Sequence, residues 1–262
     1  MKKINGLWLP DTETHMNDTI QKEGSYQRFT RTEALNHVKD PKNAIDIGAH
    51  CGFWAMDMCK FFTRVYAFEP VAEHRECFQA NLDDRCSDWT LFPYALGDKE
   101  GQVFMHIEQD NTGHTHIGDS GVPAELRTLD SFGLTDISFI KMDCEGFEYY
   151  VCLGGKETIM REKPIICLEQ KPHGFYDIGV HDGVKLSRTS QTARVVSEAL
   201  QASLLRALRV PEEVPSRLRV QVRYVSHRPW ASLCKQNWKD ILRCNGSLHA
   251  RHGRLPLMVG RA

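Results

Sequence analysis

From residue 43 to residue 168, short apolar runs alternate with segments whose apolar residues recur every three or four positions. Asn43–Ile47, Val65–Phe68, Trp89–Phe92, Ile137–Met142 and Pro164–Leu168 have the length of buried strands. Between them, Trp54, Met58, Phe61 and Phe62 predict one helix, residues 72–82 a second, and Tyr149, Val151 and Leu153 a third. Strands that are apolar on both faces and alternate with helices imply a mostly parallel sheet covered by helices on both faces, an α/β fold. Val103–Ile107, after the turn-rich Ala95–Gly101, reads as a separate hairpin strand.

Residues 1–40 are polar with few apolar positions, a lead-in to this pattern. Within them Thr30-Arg31-Thr32-Glu33 matches a capping box and predicts a short helix near 31–39, which Asp40-Pro41 then breaks. The main domain is therefore read as residues 41–180.

The chain has 262 residues, 41% of them hydrophobic and 26% charged, which excludes a disordered or fibrous protein. No run approaches the ~18 apolar residues of a membrane span, and no signal peptide is visible. The nine cysteines form no C-x-x-C pair and their number is odd, so the expectation is a reduced, cytoplasmic chain with neither a zinc ribbon nor a disulfide framework. Charge adds a boundary that hydropathy does not show. Residues 1–180 carry 18 Lys and Arg against 29 Asp and Glu, a net of −11, whereas residues 181–262 carry 15 against 5, a net of +10.

The strand ending at Ile47 runs into Asp46-Ile47-Gly48-Ala49-His50-Cys51-Gly52, and the next strand ends at Glu69, 21 positions after Gly48. A glycine turn beyond a parallel strand, with a carboxylate at that distance, suits a ligand carrying a ribose. The spacing is D-x-G-x-x-x-G and lacks the middle glycine that brings backbone against a pyrophosphate, which disfavours NAD and similar nucleotides. S-adenosylmethionine has no phosphate, offers a ribose to Glu69, and presents an amino-acid moiety to the turn.

At this point several segments, in order, resemble the FkbM family of S-adenosylmethionine-dependent methyltransferases: AIDIGAHCGFW (44–54), VYAFEPVAEHRECFQANL (65–82), YALGDKEG (94–101), TLDSF (128–132), ISFIKMDCEGFEYYVCLGG (137–155) and PIICLEQK (164–171). WLPDTETHM (8–16) and NTGHTHIGD (111–119) look like variants carried by bacterial and bacteriophage members. The resemblance implies a Rossmann-like methyltransferase fold and methyl transfer, usually to a hydroxyl of a sugar, glycan or other small molecule. By position it makes Asp46, Gly48, Ala49 and Gly52 the methionine-side loop of the cofactor site and Glu69 the ribose ligand, with Pro70 adjoining. It places Ala95 and Leu96 beside the adenine, and Asp143 between cofactor and acceptor. The family block K-x-D-x-E-G-x-E stands here as Lys141, Asp143, Glu145, Gly146 and Glu148.

Methyl transfer to a hydroxyl needs alignment and a base. Asp143 and Glu145 are the candidates for that base. Against this, Glu145 and Glu148 would merely stabilise a helix N-terminus. A divalent cation held by Asp143 and Glu145 is an alternative that the spacing does not require, and no metal site is assigned. His116, with His114, is a further candidate base, set against a solvated hairpin; His15 and His173 carry less weight. Cys51 reads as a small filler. The absence of Pro-Pro-aromatic and Pro-Cys motifs disfavours methylation of nucleobase nitrogen or cytosine carbon.

The resemblance fades after about Tyr176. Gln191–Arg209 has helical apolar spacing and Leu218–Tyr224 alternates like a half-exposed strand. Two readings stand for residues 181–262: a basic module for an anionic partner, or a shifted reading frame that makes the C-terminal part atypical. The expected partner is a small-molecule or glycan acceptor, with no membrane and no nucleic acid. A non-catalytic protein that works through the basic tail is the alternative from another class.

Overall fold

The computed structural model describes residues 1–168. The basic tail, its expected helix and strand, and His173 lie outside the described residues. In chain order the elements are β1 (Lys2–Ile4), β2 (Leu7–Leu9), α1 (His15–Glu23), α2 (Arg28–Leu35), β3 (Asn43–Ile47), α3 (Phe53–Met58), β4 (Arg64–Phe68), α4 (Ala72–Leu82), β5 (Trp89–Phe92), β6 (Tyr94–Leu96), β7 (Gly101–His106), β8 (His116–Gly118), β9 (Val122–Arg127), β10 (Ile137–Met142), α5 (Glu148–Gly154), α6 (Lys156–Glu162) and β11 (Ile165–Leu168).

Five of the strands form a wholly parallel sheet in the order β11-β10-β3-β4-β5. Successive side chains of a strand point to opposite faces, and here both faces are apolar. Ala44, Val65, Ala67 and Phe139 pack against Trp54, Ala55 and Met58 of α3 and Phe78 and Leu82 of α4. Ile45, Ile47, Phe68, Ile140 and Met142 pack on the other face against Val151, Cys152 and Ile159 of α5 and α6. The α/β class expected from the periodicity is the one observed. β3 pairs with both β4 and β10, so the strand order reverses at β3, the point beyond whose carboxyl ends open α/β sheets receive ligands.

The strand at Val103–Ile107 belongs to something larger than a hairpin. β7 pairs antiparallel with β8 and β9, and β9 pairs parallel with β6, giving a separate four-stranded sheet.

Three expectations need correction. Residues 1–40 are more than a lead-in with one helix: β1 and β2 form a hairpin, and Leu9, Met16 and Ile20 are buried with Cys51, Phe53 and Cys77. The helix expected near 31–39 is α2, displaced toward the N-terminus and without a side-chain cap. Arg31 is drawn instead to Asp57 (2.7 Å) and Ser25 (3.1 Å), and Glu33 lies 3.7 Å from His37 one turn on, so the capping box is not made. Finally, the cysteines are not all reduced. α3 and α4 end side by side, which brings Cys59 and Cys86 within 5.7 Å between Cα atoms as a disulfide.

Asn81, on α4, joins the N-terminal hairpin to the glycine turn. Its fully buried amide accepts from Trp8 N–H (2.7 Å) and donates to the carbonyls of Trp8 (2.9 Å) and Cys51 (2.9 Å), as a neighbouring strand would.

Candidate functional site

At the reversal point Asp46 and Lys141 occupy partner positions on β3 and β10 and point to the same face. Both are buried, and Lys141 Nζ lies 3.1 Å from Asp46 Oδ1 and 4.0 Å from Asp143 Oδ2. It also donates to the carbonyls of Gly48 (2.7 Å) and Ile47 (3.3 Å). Burial works against the Lys141 charge, but Asp46 and then Asp143 outweigh it and raise its pKa. Lys141 is thus a cationic pin between two carboxylates and the backbone of the glycine turn.

The turn itself is shaped by packing. Gly48 has φ +71°, its N–H and that of Ala49 reach the Phe68 carbonyl (3.0 and 3.1 Å), and a Cβ on it would overlap the Asp143 carbonyl oxygen. Gly52 has φ +82°, and a Cβ there would strike Leu82 and Phe78 of α4. Both glycines therefore serve close contact inside the protein, where the sequence suggested room for a ligand. His50 and Glu145 are non-glycine residues at positive φ (47° and 54°), one in each strand-end loop. Such strain collects at functional sites.

Glu69 directly follows β4 and is 4% exposed. Its Oε2 accepts from His50 N–H (2.8 Å), and its Oε1 accepts from Val71 N–H (2.9 Å) and faces His74 Nδ1 (3.3 Å). Burial favours the neutral acid, but the hydrogen bond from His74 and the two backbone N–H groups together hold the Glu69 carboxyl below its usual range. Three of about four lone-pair sites are thereby taken. Pro70 follows, its carbonyl accepting from Arg75 (2.6 Å).

On the far side of His50, Nε2 lies 2.9 Å from Thr112 Oγ1. Thr112 donates from both N–H and Oγ1 to Glu13 Oε2, each at 2.6 Å, and Glu13 is fully buried. Thr14 and His15 donate their N–H groups to the Asp110 carbonyl (3.1 and 3.2 Å). The segments 8–16 and 111–119 therefore meet each other and the glycine turn in one network.

The sequence profile of the methyltransferase FkbM domain matches residues 46–202, more than half of the chain and past the charge boundary near residue 180. The chain belongs to the FkbM methyltransferase family. Among solved structures, this FkbM chain is similar to an FkbM methyltransferase of Methylobacillus flagellatus, with 19% identity over 55% of this chain and 36% of that one and a TM-score of 0.39. It is also similar to a precorrin-8w decarboxylase of Methanobacterium thermoautotrophicum (13% identity, 79% and 81% covered, TM-score 0.42). A third is a precorrin-6y C5,15-methyltransferase of Geobacter metallireducens (13%, 66% and 80%, TM-score 0.40). The chain spans 36% of the length of the first of these. Among curated proteins none matches.

The structure brings Asp46 and Gly48 of the glycine turn and Lys141 and Asp143 of the family block to one point, with Glu145 two residues beyond. Asp143 keeps 24% of its side chain exposed. Ala95 and Leu96 are buried in β6, Ala95 with Val71, Met105 and Leu126, and Leu96 in the core beneath α5. His116 sits on β8, its ring 5.1 Å from that of His106 and its Nδ1 donating to the His114 carbonyl (2.9 Å). His15 begins α1, its ring edge toward Tyr26. Cys51 is fully buried, and burial pushes its thiol up, as suits a filler. Among the described residues no three His, Cys, Asp or Glu side chains converge as a metal centre would require.

Glu148 has the holding role set against catalysis in the sequence. Its carboxylate accepts from Cys144 N–H (2.8 Å) and Gly146 N–H (3.1 Å), closing the loop that carries Glu145. Burial raises its pKa from 4.5 to about 7, opposed by the Cys144 N–H. A carboxyl whose folded pKa is raised adds stability that is fully present below about 4.5 and is lost as pH rises through about 7. Over that window the wild type should lose about 3 kcal/mol relative to a chain lacking the group. Urea unfolding of Glu148→Gln and wild type at pH 5 and pH 8 reads this out; equal slopes with pH would contradict it.

Sequence reasoning missed Glu13, Thr112, His74 and Asn81, and gave His50 no role. Glu13 and Thr112 are 99 positions apart and share no motif, so no one-dimensional signal joins them. His50 carried a weak signal, as a ring inside a glycine turn.

Proposed function

We propose that this chain is an S-adenosylmethionine-dependent O-methyltransferase acting on a hydroxyl of a sugar, glycan or small hydroxylated metabolite. The observation that carries the reading is the meeting of Asp46, Lys141, Gly48 and Asp143 at the point where the parallel sheet reverses its order, in a chain of this family. The residues around Glu69 fit the cofactor: they present acceptors, including the enclosed, unpartnered His50 Nδ1 and His74 Nε2, where a ribose brings hydroxyl donors. When bound, the cofactor supplies an electrophilic methyl group on a sulfonium. The turn at Asp46–Gly52 would hold its amino-acid end, with Ala95 and Leu96 nearest the adenine.

The protein's own contribution is alignment and a base. Asp143, partly exposed at the end of β10, would take the acceptor's proton, with Glu145 positioning the hydroxyl or sharing that role and His116 as the reserve candidate. Lys141 fixes Asp143 from behind. No helix of the described residues is long and apolar enough to cross a membrane, and the proposed workplace is the cytoplasm, where the Cys59–Cys86 bridge would be open to reduction.

Calorimetric titration with S-adenosylhomocysteine, with NAD as control, tests the cofactor. Micromolar binding of the first alone supports the proposal; binding of NAD alone, or of neither by a folded protein, overturns it. Asp143→Asn and Glu145→Gln should each lower turnover of a hydroxylated acceptor by about 100-fold or more, the contribution of a general base, while S-adenosylhomocysteine binds within about threefold of wild type. Unchanged turnover in both variants would move the base to His116.

A further inference from the structure

We infer that the imidazoles of His50 and His74 are an acceptor pair for the ribose hydroxyls of the cofactor, and that Thr112 is the positioning residue that fixes the His50 tautomer. This rests on the S-adenosylmethionine reading above and adds to it residues that the motifs did not reveal.

Counting hydrogens fixes which nitrogen of each ring donates. A threonine hydroxyl carries one hydrogen, and that of Thr112 is given to Glu13 Oε2 at 2.6 Å. His50 Nε2, 2.9 Å from the same oxygen, must therefore donate to it. The proton of the neutral ring is on Nε2, and Nδ1 is a bare acceptor. Burial, and beyond it the charge of Lys141, oppose a second proton on His50. His74 is arranged in the mirror sense. Its Nδ1 faces Glu69 Oε1, an acceptor, so Nδ1 carries the hydrogen and Nε2 of the neutral ring is left bare.

Both bare nitrogens are enclosed and have no partner, and the two rings lie 4.1 Å apart between centroids. Enclosed acceptors without donors are costly, and the imbalance has one sign: the site is short of two donors. A ribose supplies two hydroxyl donors on adjacent carbons. Glu69, already accepting three hydrogen bonds, has little capacity left to receive both. The histidine pair supplies that capacity beside it.

The test compares S-adenosylhomocysteine with its 2′,3′-dideoxy analogue by calorimetry on wild type, His50→Gln and His74→Asn. Gln retains a donor at the position of His50 Nε2 and Asn one at the position of His74 Nδ1, so each variant keeps its structural bond and loses only the bare nitrogen. Each should weaken S-adenosylhomocysteine about tenfold, one buried hydrogen bond, and the dideoxy analogue less than about twofold. Equal losses for both compounds would overturn the pair while leaving the cofactor reading intact. Failure of the wild type to bind S-adenosylhomocysteine would overturn both.

Nitrogen-15 spectra of the histidine rings test the same idea without any substitution. His50 Nδ1 and His74 Nε2 should resonate as unprotonated nitrogens in the free protein and move upfield when S-adenosylhomocysteine is added; unmoved resonances at saturation would sink the proposal. Thr112→Val should give His50 a mixture of tautomers and Thr112→Ser should restore the single one. A merely structural threonine would leave the tautomer as it was in wild type.

Discussion

Gly48→Ala is expected to cost more than about 4 kcal/mol and to leave little folded protein at 37 °C, an effect confined to the few mechanisms that exceed ordinary mutational losses. Two penalties combine. The left-handed φ of +71° costs a residue with a Cβ about 1–2 kcal/mol. The greater penalty is steric, because the new methyl group would overlap the Asp143 carbonyl oxygen and approach its carbon to 3.0 Å. Neither atom belongs to a flexible side chain. Relief requires the loops after β3 and β10 to part, which would break the Lys141 bond to the Gly48 carbonyl and the Asp143 N–H bond to Ile47. Gly133→Ala is the control: φ is +58° but nothing lies within 4 Å of the Cβ, so only the conformational penalty of about 1 kcal/mol should appear. Denaturant midpoints of the two variants separate steric from conformational cost. A similar loss in both would mean that close packing at Gly48 is unimportant.

Lys141→Met should destabilise the fold by about 3–5 kcal/mol, because it leaves the fully buried Asp46 carboxylate without its cation. Adding Asp46→Leu should recover most of that stability, since a matched apolar pair often replaces a buried ion pair without loss. Recovery should not extend to ligand affinity, because the double variant still lacks the pin on the glycine turn. The pH response gives a second check. Burial pushes the Asp46 carboxyl up and Lys141 opposes it, so without Lys141 the stability deficit should shrink as the pH falls and Asp46 takes a proton. Urea unfolding at pH 5 and pH 8 measures this, and a deficit independent of pH would rule out the role of charge.

The parallel sheet was legible because its signal is local. Trp89–Phe92 and Ile137–Met142 are apolar runs bounded by turns, and both strands begin and end where the runs do. The helix over Ala72–Leu82 was equally plain. The N-terminal hairpin was not, because its strands have three residues each and their stability comes from Asn81, more than seventy positions away. At the site, Asp46, Glu69 and Asp143 could be picked out as carboxylates at strand ends, a rule of topology that sequence order preserves. What the glycines do could not be read, since the atoms that exclude a Cβ from Gly48 and Gly52 come from the loop after β10 and from α4. The Thr30–Glu33 box failed for a related reason: a local hydrogen-bond pattern lost to the tertiary pull of Asp57 on Arg31.

The Cys59–Cys86 bond turns β4, α4 and the approach to β5 into a closed ring of chain 27 positions around. Glu69, His74 and Asn81 are inside that ring; Asp46, Lys141 and Asp143 are outside it. Closing a loop of this size removes about 3.5 kcal/mol of freedom from the unfolded chain, all of it in the segment that carries Glu69 and His74. A thiol reductant in the buffer opens this ring, so affinities measured with and without dithiothreitol describe two covalent forms of one protein.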